Sequence, residues 1–140
     1  MEPDEKVAKH VEQVQVVVNR MAANSFILKG WSVTVVVGLL AFAVEHRMWF
    51  GAIVGLLPAL SFWWLDAYYL RQERLFRKLH DYVRRGGLQD DIYSMDTSVF
   101  SKFVPSVVLT MFSMSVVLIH GLVVIGVFLI AAIVASHQPS

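Results

Sequence analysis

Apolar residues fill two blocks of the chain that only three polar residues separate. The first block covers residues 26–44 and the second covers 48–65, with Glu45, His46 and Arg47 between them. Each block has 18 or 19 residues, and a helix needs about 20 to cross a hydrocarbon layer about 30 Å thick. Because every backbone amide in lipid needs an internal partner, a helix is the expected spanning structure. The pattern predicts a tight antiparallel hairpin of two transmembrane helices.

A third apolar region covers residues 103–135, and His120 is its only ionisable residue. As a single helix it would be about 50 Å long, which is too long for one crossing. We therefore predict an interfacial helix over 98–112, with Pro105 near its middle, and a third span over 113–134. The alternative is four spans, with a tight turn near His120 and Gly121.

The segment before the first span, residues 5–24, has apolar residues at spacings of four and three. They are Val7, Val11, Val14, Val18 and Met21. This spacing predicts an amphipathic helix with a heptad seam. The seam fits two partners: the membrane or a later helix of the same chain, or a second copy of the chain.

A basic helix is predicted over residues 66–86, directly after the second span, and Gly86 and Gly87 end it. Its basic residues are Arg71, Arg74, Arg77, Lys78, Arg84 and Arg85. Such a helix beside a membrane contacts anionic headgroups, and it also offers a surface to a protein partner. Nucleic-acid binding is not expected, because no nucleic-acid-binding motif accompanies the charge. An acidic, turn-rich connector follows over 88–97.

Three features of the predicted spans indicate contacts between helices. Gly51 and Gly55 share one helix face and allow close approach, either within the hairpin or between subunits. In an antiparallel hairpin, Lys29 and Asp66 are predicted to lie at similar depth in the membrane. One hypothesis is that they form an ion pair, and the other is that each contacts water or a headgroup separately. His120 lies within the third span, where no acidic partner is expected. It is either a neutral histidine bonded between helices or a pore-facing, pH-sensing group.

Composition limits the chemistry that the chain can carry. Hydrophobic residues make up 56% of the chain and charged residues 16%, against about 25% charged in soluble proteins. The absence of cysteine excludes disulfides and thiol chemistry. No catalytic motif is recognisable and the five histidines show no metal-ligand spacing. We therefore expect neither an enzyme nor a bound cofactor or metal. The polar first 24 residues also predict that no cleavable signal peptide precedes the first span.

Lysine and arginine are distributed unevenly about the three predicted spans. Four precede the first span or lie at its start, seven follow the second span, and the hairpin has only Arg47. Because basic residues mark the cytoplasmic side, the N-terminus and the basic helix are predicted to be cytoplasmic. The hairpin and the C-terminus are then predicted on the opposite, periplasmic side.

The layout resembles a group of known membrane proteins. Residues 19–26 (NRMAANSF) lead into the hairpin, and residues 70–79 (LRQERLFRKL) form a charged helix after it. This arrangement is similar to small bacterial inner-membrane proteins of the RipA-like octameric group, and to SLATT-type two-span proteins, which are proposed pore-forming effectors. The resemblance covers residues 5–86, and the third span departs from it. It implies a non-enzymatic homo-oligomer of the bacterial inner membrane.

The sequence thus predicts an all-α integral membrane protein, with a two-helix transmembrane hairpin, a third span and amphipathic cytoplasmic helices. The first functional hypothesis is a homo-oligomeric pore-forming or membrane-permeabilising effector that is gated from its cytoplasmic layer. The alternative is a non-conducting scaffold or adaptor that binds anionic lipid or a partner protein through its basic helix.

Overall fold

The computed structural model describes residues 3–87 and 93–137, and all of its regular structure is helical. Its elements in chain order are α1 (Pro3–Glu45), α2 (Trp49–Val54), α3 (Leu56–Arg84), a 3₁₀ helix (Ser98–Phe103), α4 (Val107–Met111) and α5 (Met114–Ser136). No β-strand occurs within the described ranges. The prediction of an all-α fold is confirmed for this part of the chain.

Three stretches are helical, long enough and apolar enough to cross a membrane. They are Glu5–Glu45, Trp49–Arg84 and Met114–Ser136. The predicted amphipathic helix and first span form one helix, α1, which has 43 residues and is therefore about 64 Å long. It runs through without a break because no proline interrupts residues 5–45. The third stretch agrees with the predicted division of the last apolar region into a connecting segment and one span.

The turn between α1 and α2 lies at the predicted polar interruption. After α1 ends, the Met48 N–H donates to the Ala43 carbonyl at 2.9 Å, and the Arg47 N–H donates to the Val44 carbonyl at 3.2 Å. Arg47 has a φ of 51°, in the left-handed region that this helix-ending motif requires. The backbone thus reverses direction within three residues and starts the antiparallel hairpin.

The second helix of spanning length is interrupted at Gly55, where α2 ends and α3 begins. Pro58 has no N–H to donate to the Val54 carbonyl four residues earlier, and its ring crowds that turn of the helix. The Gly55 N–H donates instead to the Ala52 carbonyl at 3.0 Å, three residues back. The interruption of the helix therefore falls about one turn before Pro58.

The N-terminal half of α1 packs against the C-terminal half of α3. Val14 and Val18 on α1 are buried against Leu79 and Val83 on α3. Phe100 of the 3₁₀ helix also packs against this group. Each helix thus covers the apolar stripe of the other.

The spanning parts of the three helices form a small bundle. Val36 on α1, Ala59 on α3 and Val127 on α5 form one buried group. Nearer the hairpin, Ala43 and Ala131 are buried. The small residues at this level let the helices approach each other closely.

The segment before α5 differs from the single interfacial helix predicted over 98–112. A 3₁₀ helix covers Ser98–Phe103, Val104 is extended (φ −122°, ψ 133°), and α4 has only five residues. Val104 precedes Pro105, and the residue before a proline is restricted to extended conformations. The Arg71 Nε donates to the Pro105 carbonyl at 3.0 Å, so this segment runs alongside α3.

Gly86 and Asp96 define the ends of the connection between α3 and the 3₁₀ helix. Gly86 has a φ of 81° and lies just after the end of α3. The Asp96 carboxylate accepts the Ser98 N–H at 2.8 Å and the Ser98 hydroxyl at 3.0 Å. Because these bonds favour the ionised form, they hold the pKa of the Asp96 carboxyl below its usual value. Of the predicted connector over 88–97, residues 88–92 lie outside the described residues.

Candidate functional site

Polar side chains from three helices meet inside the bundle, with Asp66 of α3 at the centre. The Asp66 side chain is fully buried. Its Oδ1 accepts hydrogen bonds from Lys29 Nζ at 2.7 Å and from the Ser25 hydroxyl, both on α1. Its Oδ2 lies 3.1 Å from Nε2 of His120 on α5. Both carboxylate oxygens are therefore satisfied, and the charge of Asp66 is compensated by that of Lys29.

The other side of the His120 ring faces α1. Its Nδ1 lies 3.4 Å from the Ser32 hydroxyl oxygen. With the proton on Nε2, His120 donates to Asp66, and the Ser32 hydroxyl donates to Nδ1. We call Ser25, Lys29, Ser32, Asp66 and His120 the polar cluster. Its members come from all three helices of spanning length, so the cluster connects them.

Trp63 forms one wall of the polar cluster. Its ring stacks on that of His120, with the ring planes 10° apart and the centroids 6.1 Å apart. The Trp63 Nε1 donates to the carbonyl of Met111 at 3.0 Å. This bond ties α4 to α3 at the level of the polar cluster.

The polar cluster lies near one end of the bundle. Lys29 precedes the end of α1 by 16 residues, which is about 24 Å along a helix. In a hydrocarbon layer about 30 Å thick that begins at the hairpin, this level lies within about one helical turn of the far edge. Lys29 is 16% exposed, so its ammonium group is the member of the cluster that approaches the surface.

The structure brings together Lys29 and Asp66, which the sequence suggested as an ion pair, and it corrects the expectation for His120. No acidic partner was expected beside His120, but Asp66 occupies that position. Asp66 was assigned to the end of the second span, and its 54-residue separation from His120 hid the contact. The relative depth of α3 and α5, which the sequence does not fix, decides whether the two side chains meet.

One sequence signal could have identified the serines of the polar cluster. The seam of residues at spacings of four and three continues past Met21 to Ser25 and Ser32. Both serines are buried. A polar residue on a seam that enters a span indicates a hydrogen bond to another helix.

The polar cluster has the order of groups found in acyl-transfer enzymes, but it lacks access. Ser32, His120 and Asp66 form a hydroxyl–imidazole–carboxylate series. All three have no exposed surface, so a substrate cannot reach the hydroxyl oxygen. The three side chains join the helices through hydrogen bonds. His120 is buried and faces the interior of the bundle. Among the described residues, no group of three or more His, Asp and Glu side chains could hold a metal ion.

The residues predicted to pack helices make their contacts within the chain. Val7, Val11, Val14 and Val18 pack in the group that contains Leu79 and Val83, and Met21 is half-buried. A Cβ on Gly55 would lie 3.8 Å from Val36 and from Val127, and one on Gly51 would lie 3.6 Å from Ala43. The seam and both glycines are thus occupied by neighbouring parts of the same chain.

The predicted basic residues point mostly outward along α3. Arg77 pairs with Glu73 at 2.7 Å, and Arg71 contacts Pro105. Arg74 is half-buried, whereas Lys78, Arg84 and Arg85 are exposed. Within the described ranges, none of these last four forms an ion pair.

A groove that the sequence did not predict lies beside the end of α3. It has a volume of about 590 Å³, and it is lined by α3, by the glycines that end α3, and by the 3₁₀ helix. We call it the distal groove. It adds an aromatic surface to the basic end of the helix.

No family model, curated protein or solved structure matches this chain.

Proposed function

We propose that this chain is a membrane-anchored adaptor. Three helices hold it in the membrane, and a basic two-helix projection binds a partner in the cytoplasm. The projection is the part of α1 before residue 25 together with the part of α3 after residue 66. The observation that supports this proposal is the mutual burial of Val14, Val18, Leu79 and Val83 within one chain. Since the apolar stripes are covered, the basic face is what the projection offers to other molecules.

The length of the projection favours a protein partner for its outer end. Arg71 is five residues beyond Asp66, about 8 Å along a helix, whereas Arg77 is about 16 Å and Arg85 about 28 Å beyond it. The headgroup region adds only about 5–8 Å on each side of the hydrocarbon. In a projection that leaves the membrane near Asp66, Arg71 contacts anionic headgroups, and the later basic residues extend beyond them.

The surface of the spanning region supports a non-conducting role. The Thr34 hydroxyl donates to the Gly30 carbonyl at 2.9 Å, and the Ser61 hydroxyl donates to the Leu57 carbonyl at 2.8 Å. These polar groups are satisfied by their own helices, while the polar cluster is packed inside the bundle. The face offered to a neighbouring copy is therefore apolar, which does not favour a hydrated lumen.

The second candidate is the homo-oligomeric pore or permeabilising effector of the bacterial inner membrane. A different observation favours self-association: Gly30, Thr34 and Gly38 lie four residues apart on an exposed face of α1. A Cβ on either glycine would have no neighbour within 4 Å. Small residues at this spacing allow a helix of a second copy to pack closely.

Ion flux separates the two candidates. The purified protein is incorporated into liposomes loaded with a potassium-sensitive dye, at several copies per vesicle. The adaptor proposal predicts a flux equal to that of protein-free vesicles. Flux that rises with the amount of protein would overturn it in favour of the pore.

Partner binding is tested with a photo-crosslinking amino acid at position Arg84 in bacterial cells. The adaptor proposal predicts a crosslinked product that is lost when Arg74, Arg77 and Lys78 are all changed to Gln. A crosslinker at the exposed, lipid-facing position of Leu57 is the control. Crosslinking at Arg84 that the triple change leaves unaltered would count against the basic face as the binding surface.

A further inference from the structure

We propose that the distal groove is a docking site for an acidic peptide segment of a partner protein, anchored by one apolar or aromatic side chain. This inference rests on the proposed adaptor function and specifies the chemistry of the partner. The groove is lined by Tyr82 of α3 and by Phe100 and Phe103 of the 3₁₀ helix. Its volume of about 590 Å³ is within the range of pockets that bury a compact ligand or a few side chains.

The apolar part of the distal groove is exposed although it lies outside the spans. Phe103 is 63% exposed and Tyr82 is 42% exposed. Phe100 packs on the buried core of the projection. Its ring contacts the Tyr82 ring edge-on, with the ring centroids 5.6 Å apart. Exposed aromatic side chains that are grouped around a concave surface are typical of sites that receive an anchoring side chain.

The charged part of the distal groove selects for an anion. Lys78 and Arg85 are two helical turns apart, so they lie on the same face of α3, and both line the groove. Neither forms an ion pair with the residues that the structure describes. The carboxylate of Asp81, which also lines the groove, lies 3.7 Å from the His80 ring. Among the lining residues that the structure describes, two cations outnumber one carboxylate, so this lining is complementary to an acidic segment.

A further positive charge adjoins the groove. The Lys102 ammonium group lies 5.1 Å from the centre of the Phe103 ring. A carboxylate placed beside the Phe103 ring would meet this cation as well. Acidic residues on both sides of an apolar anchor therefore suit the surface.

Two observations favour a peptide over a lipid headgroup or a free phosphate. Lys78 is 12 residues beyond Asp66, about 18 Å along a helix, and Arg85 is about 28 Å beyond it, outside the headgroup region. The Gly86 and Gly87 N–H groups already donate to the carbonyls of Val83 and Tyr82, each at 3.0 Å. The turn thus has no free amides to surround a phosphate, and recognition depends on separated side chains.

The test starts from a displayed library of random 12-residue peptides. It is selected against the full chain in nanodiscs of zwitterionic lipid and counter-selected against the double variant Lys78→Glu/Phe103→Ser. We expect the selected peptides to combine Asp or Glu with Phe, Trp or Leu. Selected peptides that lack acidic residues, or that bind the double variant equally well, would overturn the proposal.

The selected peptide is then labelled with fluorescein and titrated with single variants. Lys78→Glu, Arg85→Glu and Phe103→Ser should each weaken binding by about tenfold or more, since each removes a contact central to the site. Arg20→Glu and Val99→Ser are matched controls, because both residues are exposed but neither is among the residues that line the groove. They should change binding by no more than about twofold. All five positions are on the surface, and circular dichroism checks that each variant folds.

The outcomes separate this inference from the adaptor proposal. Equal weakening by Arg20→Glu and Arg85→Glu, with no effect of Phe103→Ser, would indicate diffuse attraction to the net charge of the projection. The adaptor would then stand and the distal groove would fail as its site. Displacement of the peptide by vesicles that contain anionic lipid, but not by zwitterionic vesicles, would identify a lipid occupant and overturn the inference. The adaptor proposal itself is overturned by ion flux that rises with the amount of protein, and this measurement does not depend on the groove.

Discussion

Asp66 is the residue at which the contacts between the three spanning helices converge. Two donors reach its carboxylate from α1, and His120 reaches it from α5. A buried charge is costly unless it is paired and hydrogen-bonded. The polar cluster therefore fixes the relative depth of the helices, since sliding one helix by a turn would leave Asp66 and Lys29 without partners.

Changing Asp66 to Leu should destabilise the fold by about 3–5 kcal/mol, because it leaves Lys29 and His120 without their acceptor. Thermal or SDS-induced unfolding in detergent micelles measures this loss. Asp81→Leu is the control, since that side chain is 51% exposed, and it should change stability by no more than about 0.5 kcal/mol.

A second variant shows whether the loss comes from an unpaired charge. Lys29→Met combined with Asp66→Leu should recover part of the stability, since replacing a buried pair by apolar residues is less costly than removing one partner. A double variant less stable than Asp66→Leu alone would contradict this explanation.

At this scale the sequence predicts only part of the site. Lys29 and Asp66 could be paired by counting outward from the hairpin, because the two helices are adjacent in the chain. His120 could not be placed against Asp66, because its helix follows after a connecting segment whose path depends on many weak contacts.

Among the elements, α1 and α3 show how one apolar seam serves two environments. The seam begins with valines that pack on Leu79 and Val83. It continues through Ser25 and Ser32 of the polar cluster, and it ends among Val36 and Ala43 inside the bundle. Along one face of α1, the contacts are thus apolar near the N-terminus, polar at the polar cluster, and apolar again towards the hairpin.

The assignment of the seam to packing within the chain predicts different effects at two neighbouring valines. Val14 is 0% exposed and Val16 is 62% exposed. Val14→Ala should cost about 2 kcal/mol through the lost burial and the cavity, and Val16→Ala should cost no more than about 0.5 kcal/mol. Unfolding should be followed at several protein concentrations in detergent. A loss at Val14 that appears only at concentrations that favour association would contradict packing within the chain.

The end of α3 gives a second prediction for an element. Gly86 has a φ of 81°, a conformation that costs a residue with a Cβ about 1–2 kcal/mol. Gly86→Ala should lower the free energy of unfolding by about that amount. Gly86→Asn should cost less, because asparagine adopts this conformation more readily. An equal decrease in the free energy of unfolding for Gly86→Ala and Gly86→Asn would contradict this explanation and would indicate a steric clash of the added side chain.

Element boundaries were predictable where a single residue type determines them. The hairpin at Glu45–Arg47 and the end of α3 at Gly86 follow from local turn chemistry. The break at Gly55 and the extended Val104 follow from prolines, but their positions depend on how the helix relaxes around the missing hydrogen bond. For that reason the interruption falls at Gly55 before Pro58, and the single helix predicted over 98–112 is divided.

At the scale of the whole molecule, three helices of spanning length carry a projection that extends beyond the expected thickness of a membrane. The three helices of spanning length could be predicted from apolar length alone, and with them the all-α fold of the described residues. Periodicity could not decide what covers the seam, since the same stripe packs equally well on a second copy. The structure places Leu79 and Val83 of the same chain there, and this leaves the basic face and the distal groove for other molecules.

The central claim is that three spans place the projection on one side of the membrane, with the hairpin and the C-terminus on the other. The chain has no cysteine, so a single cysteine can be introduced at the exposed positions Gln13, His46, Ser101 or His137. A membrane-impermeant maleimide is added to bacterial cells whose outer membrane has been permeabilised. The account predicts that His46→Cys and His137→Cys react in intact cells, whereas Gln13→Cys and Ser101→Cys react only after lysis. Labelling of His137→Cys only after lysis, together with Gln13→Cys, would require an even number of spans and would contradict the account.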